Sequence, residues 1–441
     1  MSVHPFIETL RASDLVGRTG RVRRIRSTFV EADGPNLPLG ALCQIETIGA
    51  DSVLAEVVGV NEDSIVLAPF ETGAATFSGA AVVACGQTSQ VPVGDAFLGR
   101  AVDGLARPID GLGPVRSDQQ AALDGVHVTP LDRASPRRVF ETGVRAIDGM
   151  LTLAHGQRVG IFAAAGVGKT SLMTQIARQV VTDRCVICLV GERGREVEAL
   201  WRGALSPEAK ARTAMVAATS DQSAAMRVRA GQYALALADH WRGQGHDVLL
   251  FIDSVTRLAM AMREIGLAAG EPPTVRAYTP SVFAAIPKIV ERCGALATGG
   301  SITAIMTVLS ETDDVDDPIS EMMKSLLDGH VLLSRNLAEL GHYPAIDVPR
   351  SISRLASTVA DPKHRANVAK AVEALSIYDA SKTLIETGVY VRGSNDGIDR
   401  ALELRPSIMA FLKQDEAEFT AYAATCAQLG AQVGARAEGR S

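Results

Sequence analysis

The residues AAAGVGKT at 163–170 carry the most direct chemical implication in this sequence. They follow an apolar run, RVGIF, and open a stretch in which Leu172, Ile176 and Val180 recur every four residues. The pattern reads as strand, glycine turn and amphipathic helix, the setting that a phosphate-binding loop requires. Gly166 and Gly168 let the backbone pass close to a polyphosphate with its N–H groups facing the oxygens. Lys169 brings a positive charge for β- and γ-phosphates, and Thr170 a hydroxyl for Mg²⁺. The helix N-terminus adds its partial positive charge. The candidate nucleotide contacts are therefore Ala165, Gly166, Val167, Gly168, Lys169, Thr170 and Ser171. Where the general pattern begins with Gly, this chain has Ala163.

Two more apolar runs end in residues of the right kind. VLLFID at 248–253 closes on Asp253, and a carboxylate at the C-terminal edge of a buried strand is where a P-loop fold holds the Mg²⁺ side of the site. Alone the pattern is a common accident; beyond a phosphate loop it gains meaning. CVICLVG leads into GERGREV, with Glu192 placed to orient and polarise an attacking water and Arg193 to hold the transferring phosphoryl group. From bare residues, Glu192-Arg193 also fits a solvated surface pair.

The elements that must position these groups fall into three textures. From about 15 to 92, short Val/Ile-rich runs broken by Gly, Pro, Asn and Asp suggest a small β-barrel or sandwich, preceded by a short helix over 1–14. Residues 93–145 hold few periodic segments and read as a connector. From about 146 to 350, buried strands alternate with helical stretches, which indicates a parallel sheet covered on both faces. Beyond about 360 the chain is helical, with a frayed GARAEGRS end. The expected domains are 1–92, 93–358 and 359–441.

Composition narrows the function classes. Of 441 residues, 47% are hydrophobic and 21% charged, which argues for a globular chain, and aromatics at 4% leave the core to aliphatic side chains. The net charge of −6 argues against a protein that coats nucleic acid. The longest apolar stretches fall far short of the ~20 residues of a membrane span. The start, MSVHPFIETLRASD, lacks the layout of a signal peptide. Six cysteines make no disulfide framework, and Cys185 and Cys188, three apart in a strand, point to opposite faces and cannot share a metal. These features fit a soluble cytoplasmic protein.

The phosphate loop, GERGREV, FIDSVTRLAMAMREIG, GEPPTVRAYTPSVFAAIPKIVERCG, LLDGHVLLSR and HYPAIDVPRSISR occur in this order. Together they resemble the type III protein-export ATPases, flagellum-specific and virulence-secretion, over about residues 17–415. That family is related to the subunits of rotary ATP synthases and more distantly to the Rho helicase. The resemblance implies an α/β fold with an N-terminal β-barrel, a central P-loop (RecA-like) parallel α/β domain and a C-terminal helical domain. It implies Mg²⁺-dependent ATP hydrolysis at the subunit interfaces of a homohexameric ring, energising protein export. Residue by residue, it gives Lys169 and Thr170 the phosphate and Mg²⁺, Glu192 the water, Arg193 a phosphate contact and Asp253 the Mg²⁺ side. Arg354, in SISR, matches the arginine finger inserted into a neighbour's site, and Tyr343, in HYPAID, the aromatic against adenine. Implied partners are a stator-like regulatory protein, a central stalk-like protein, export-gate membrane proteins and chaperone–substrate complexes, at the cytoplasmic face of the inner membrane. Family members often carry Gln at Met262 and Gly-Tyr-Pro at Ala277-Tyr278-Thr279, and the catalytic set is untouched by either change. The alternatives are a rotary ATP synthase catalytic subunit, which the C-terminal region argues against by lacking the acidic loop, and a non-catalytic ring subunit, which Glu192 argues against.

Overall fold

The structure, a computed structural model, describes residues 17–49, 51–73, 75–85, 90–126, 128–309 and 317–434. The expected helix over 1–14 and nearly all of the expected frayed end lie outside the described residues.

Six strands, Thr19–Ile25, Val30–Asp33, Leu42–Ile45, Val53–Val60, Ile65–Pro69 and Ala81–Ala84, close into a barrel. Along Val53–Val60, alternate residues turn inward, and Val22, Ile45, Val57, Leu67 and Val82 fill the interior. Closure leaves no strand edge to pair with another chain.

The central sheet runs, from one edge to the other, Ile352–Ser353, Gly329–Leu332, Arg158–Ala163, Ser301–Leu309, Asp247–Asp253, Arg184–Val190, Thr213–Ala218 and Ala101–Val102. In this order neighbours pair in parallel except at Ile352–Ser353, which is antiparallel to Gly329–Leu332, and the short strand Gly294–Ala295 adds an antiparallel pair to Ser301–Leu309. The segment expected to be only a connector thus supplies an edge strand, Ala101–Val102, too short to register as a period. Within Arg184–Val190, Cys188 packs with Val186, Tyr233 and Trp241, while Cys185 packs with Ile187, Leu172 and Ile176. The two thiols therefore sit on opposite faces, as their spacing requires. Both faces are covered, which is why these strands read as unbroken apolar runs.

Three helices follow, Pro362–Glu386, Asp396–Leu412 and Tyr422–Gly434. Asp361 caps the first by accepting from the Lys363 N–H, with Pro362 in the first turn, and Asn395 caps the second. Ala371, Leu375, Leu404, Ile408, Phe411 and Leu429 pack onto the short helix Arg145–Met150. A Cβ on Gly149 of that helix would lie 2.8 Å from the Phe411 ring, so only glycine permits this close docking. Between Leu412 and Tyr422 the chain runs as a non-helical strap beside the helix that follows the phosphate loop.

Candidate active site

The phosphate loop leaves the C-terminal end of Arg158–Ala163 and feeds the helix Lys169–Gln179. Gly166 has φ 81° and Gly168 φ 93°, a region where a Cβ is strained, and Gly168 caps the helix. Val167 is buried and pins the loop, while Ala165, Gly166, Thr170 and Ser171 are exposed. The backbone is thus held from beneath and open above.

Lys169 reaches sideways over the strand ends. Its Nζ contacts Asp253 Oδ1 and lies 3.3 Å from Glu192 Oε1. Asp253 closes its strand, and the neighbouring strand sets Thr307 beside it, whose hydroxyl donates to Asp253 Oδ1 at 2.6 Å. Both carboxylates are 3% exposed. Arg257 Nη2 lies 3.3 Å from Glu192 Oε2, and its Nη1 donates to the Gly191 carbonyl. Ser254 caps the helix Val255–Ala268 by accepting from the Arg257 N–H, which fixes Arg257 in the first turn. Burial, and then the Asp253 charge, push the Glu192 carboxyl above its ordinary range against the pull of Lys169 and Arg257.

Of the groups expected at this site, Lys169, Glu192 and Asp253 converge. Thr170 and Ser171 follow in the first helical turn. Arg193 differs: it is exposed at the N-cap of Gly194–Glu198, and the guanidinium found against Glu192 is that of Arg257. Arg257 and Thr307 were not singled out from the sequence. Arg257 stands four residues beyond Asp253 in DSVTR, a spacing that carries it back over the strand end.

The donor set suits a hard divalent cation. Among the described residues, no group of three or more His, Cys, Asp or Glu could hold a metal alone. One carboxylate, Asp253, and one hydroxyl, Thr170, match the habit of Mg²⁺, which keeps waters and takes substrate phosphate oxygens.

Beside the loop opens a cavity of about 460 Å³, lined among others by Gly168, Gln175, Tyr343 and the strap residues Lys413, Gln414 and Asp415. The Tyr343 ring edge is 3.3 Å from where a Gly168 Cβ would stand, so the aromatic expected at adenine does flank the loop. The strap wall is some 240 residues from the loop and was not foreseen.

Arg354 lies elsewhere. Its N–H donates to the Asp328 carbonyl, whose own N–H donates to the Arg158 carbonyl, and its Nη2 donates to Lys324 O at 3.2 Å. Arg158 begins the strand that ends at the phosphate loop, and six residues of strand span about 20 Å. An arginine side chain does not cover that distance, so Arg354 is remote from the loop of its own chain.

Two family models match in tandem: the ATP synthase alpha/beta family nucleotide-binding domain over residues 143–353, and the T3SS EscN ATPase C-terminal domain over 360–431. The flagellum-specific ATP synthase of Bacillus subtilis is 43% identical over 422 residues, covering 94% of this chain and 95% of its own length. This chain belongs to the flagellum-specific and type III secretion ATPase family. The type 3 secretion system ATPase of Xanthomonas euvesicatoria is 42% identical over 95% of this chain and 96% of its own. Among solved structures, the assembled ATPase EscN of the enteropathogenic E. coli type III secretion system superposes with a TM-score of 0.89 at 38% identity, over 94% of this chain and all of that one. EscN in complex with its central stalk EscO matches with a TM-score of 0.85 at 38% identity, over the same shares of the two chains. The barrel, P-loop domain and helical domain expected from the sequence are the architecture of this family, and the rotary-synthase alternative is not favoured.

Proposed function

We propose that this chain hydrolyses ATP at the subunit interfaces of a homohexameric ring and so energises the export of flagellar or virulence proteins through a type III apparatus. One observation carries the reading: a largely covered Lys169 is shared by two buried carboxylates at the open end of a parallel sheet, directly beside a glycine loop shaped for phosphates.

On ATP binding, Lys169 turns from the carboxylates to the β- and γ-phosphate oxygens. Glu192, released from that ion pair and still braced by Arg257, orients a water in line with the γ-phosphorus and takes up its proton as the bond forms. Its raised affinity for a proton suits that role, because a base is most effective when its pKa approaches the working pH. Thr170 and Asp253 would hold Mg²⁺, which when bound supplies positive charge against the phosphate oxygens. Arg193 is proposed to meet the phosphates from the solvent side, a reading that its exposure supports. Tyr343 and the cavity beside Gly168 receive the adenine. Arg354, remote from its own loop, acts as the finger in a neighbour's site, where a planar and permanently charged guanidinium meets phosphate oxygens with two donors.

A non-catalytic ring subunit is disfavoured by Glu192, present and aimed at the loop. The stalk bound by EscN supports a central stalk-like partner here. A stator-like protein, export-gate membrane proteins and chaperone–substrate complexes complete the proposed partners. Among the described residues no helix is long and apolar enough to cross a membrane, and the proposed location is peripheral, at the cytoplasmic face of the inner membrane. The test is Glu192→Gln, which keeps the shape and removes the base. ATP affinity should stay within a few-fold while turnover falls by about 10²–10⁴. Near-native turnover would remove Glu192 from the mechanism.

A further inference from the structure

We infer that Arg145, far from every phosphate-binding group in sequence role and assigned no part in the reaction above, is a positioning residue that sets the nucleotide-base pocket. The inference rests on the reading of the cavity beside Gly168 as the base site.

The cavity has two kinds of wall. One is the phosphate-loop helix with Gly168 and Gln175; the other is the strap, with Lys413, Gln414 and Asp415. The strap has no helix or strand bonding of its own; two backbone bonds, Gln414 N–H to Tyr343 O and Thr420 N–H to Gly143 O, tie it to its surroundings, and side chains supply the rest. Most of them converge on Arg145. The Arg145 backbone N–H, which no change of its side chain removes, donates to Gln414 Oε1 at 2.7 Å, while in the side chain Nε donates to the Phe411 carbonyl at 2.9 Å, Nη2 to the Lys413 carbonyl at 2.6 Å and Nη1 to Thr420 Oγ1 at 3.2 Å. Nη1 also pairs with the Glu418 carboxylate. One guanidinium therefore holds the strap at its start, middle and end, and its side chain is only 11% exposed. The rigid fork of donors is what lets arginine serve several acceptors together.

Gln414 carries the constraint onward. It is 4% exposed, and its amide donates to the Gly143 and Glu418 carbonyls at 2.8 Å each. Its backbone N–H donates to the Tyr343 carbonyl at 2.9 Å. The chain of contacts thus runs from Arg145 through Gln414 to the aromatic expected against the base. Gln179 and Gln175 of the phosphate-loop helix also donate to the strap, to the Glu418 and Asp415 carbonyls at 2.8 and 3.4 Å. Without the guanidinium these bonds and those of Gln414 remain, but the Phe411 and Lys413 carbonyls, the Glu418 carboxylate and the Thr420 hydroxyl lose the donor they share, so the strap is held at fewer points. With the wall fixed by Arg145, the pocket has one shape and can discriminate between bases; released, it loses contact with the base while the phosphate loop is unaffected.

The experiment compares wild type, Arg145→Ala, Arg145→Lys and Tyr343→Ala as full-length chains, measuring KM and kcat for ATP and for GTP, and competition by inorganic tripolyphosphate. Arg145→Ala should raise KM for ATP about tenfold or more with a much smaller change in kcat, and should narrow the ATP-over-GTP preference. Tripolyphosphate, which has no base, should compete as it does in wild type. Arg145→Lys keeps the charge but not the fork, and should recover only part of the loss. A general folding defect would weaken tripolyphosphate and ATP alike, and that result overturns the inference. If Arg145→Ala does not fold, Gln414→Ala, which removes the amide that ties the strap to the Arg145 backbone N–H and to the Gly143 and Glu418 carbonyls, must give the same split, and its failure to do so is equally fatal. Unchanged KM in Arg145→Ala beside raised KM in Tyr343→Ala rejects Arg145 and spares the base site. Unchanged KM in Tyr343→Ala rejects the base site itself.

Discussion

Removing the cation that two buried carboxylates share should cost stability in a way that depends on pH. In Lys169→Ala, Glu192 keeps Arg257 at 3.3 Å and Asp253 keeps the Thr307 hydroxyl, but nothing separates their charges. Lys169 is 11% and each carboxylate side chain 4% exposed, so solvent screens little of this. Breaking a buried pair from one side costs about 3–5 kcal/mol. The cost has a ceiling, because one carboxylate escapes it by taking a proton. At pH 8 that escape costs about 5 kcal/mol for a group of ordinary pKa near 4.3, and about 2.3 kcal/mol at pH 6. The folded mutant then binds a proton that the unfolded chain does not, so its stability falls as pH rises from the ordinary carboxylate range towards the raised pKa. Lys169→Ala should be about 3–5 kcal/mol less stable than wild type at pH 8 and about 2 kcal/mol less at pH 6. Urea unfolding read by tryptophan fluorescence measures this cleanly, since the two tryptophans, Trp201 and Trp241, both lie in the central domain. The double variant Lys169→Ala/Glu192→Gln removes one charge and should be more stable than the single variant at pH 8, yet equally inactive. A single variant as stable as wild type at every pH would refute the electrostatic argument. Normal ATP hydrolysis by it would refute the phosphate-loop assignment as well.

Three further outcomes can be checked separately. Lys169→Ala and Arg354→Ala should each be nearly inactive alone, and mixed rings, verified by size, should regain partial activity; full activity of Arg354→Ala alone ends the shared-site reading. Ala277 has φ 60°, where its Cβ is strained, so Ala277→Gly should be neutral or stabilising by up to about 1 kcal/mol in the same urea assay, and a clear loss contradicts the strain. Glu56, on the barrel wall 3.8 Å from Arg229, is pushed by burial up to about 7; the stability it contributes is complete below about pH 4.5 and lost as pH rises through 7. Glu56→Gln should flatten that slope, by roughly 3 kcal/mol at most between pH 4.5 and 8, and an unchanged slope assigns it to other groups.

Local spacing is enough to bring some of these groups together. A strand, a glycine turn and a four-residue apolar repeat are short-range signals, so the loop, Lys169 and Asp253 could be read from neighbours in sequence. Thr307 could not, because it meets Asp253 only through strand register: Ile252 is paired with Met306. The strap could not either, since its grip on Arg145 spans roughly 270 residues and involves carbonyls that any residue type would offer. Arg193 shows what adjacency alone does not convey. Adjacency to Glu192 suggested a shared task, but the chain turns at Arg193 into a new helix and presents its side chain outward, while Arg257 arrives from another element. Adjacent residues share a backbone, not a direction.

The opposite placement of Arg354 and the phosphate loop, at the two ends of one strand, has a topological consequence. With Arg354 serving a neighbour's site as proposed, each subunit would own half of one site and half of another. An open string of n subunits contains n − 1 complete sites, with an unmatched loop at one end and an unmatched arginine at the other. Closing the string into a ring adds a site without adding a subunit, and leaves no end that differs from the rest. Activity per chain should therefore climb with oligomer length and take a last step at closure, so that the assembly reports its own completion through its rate.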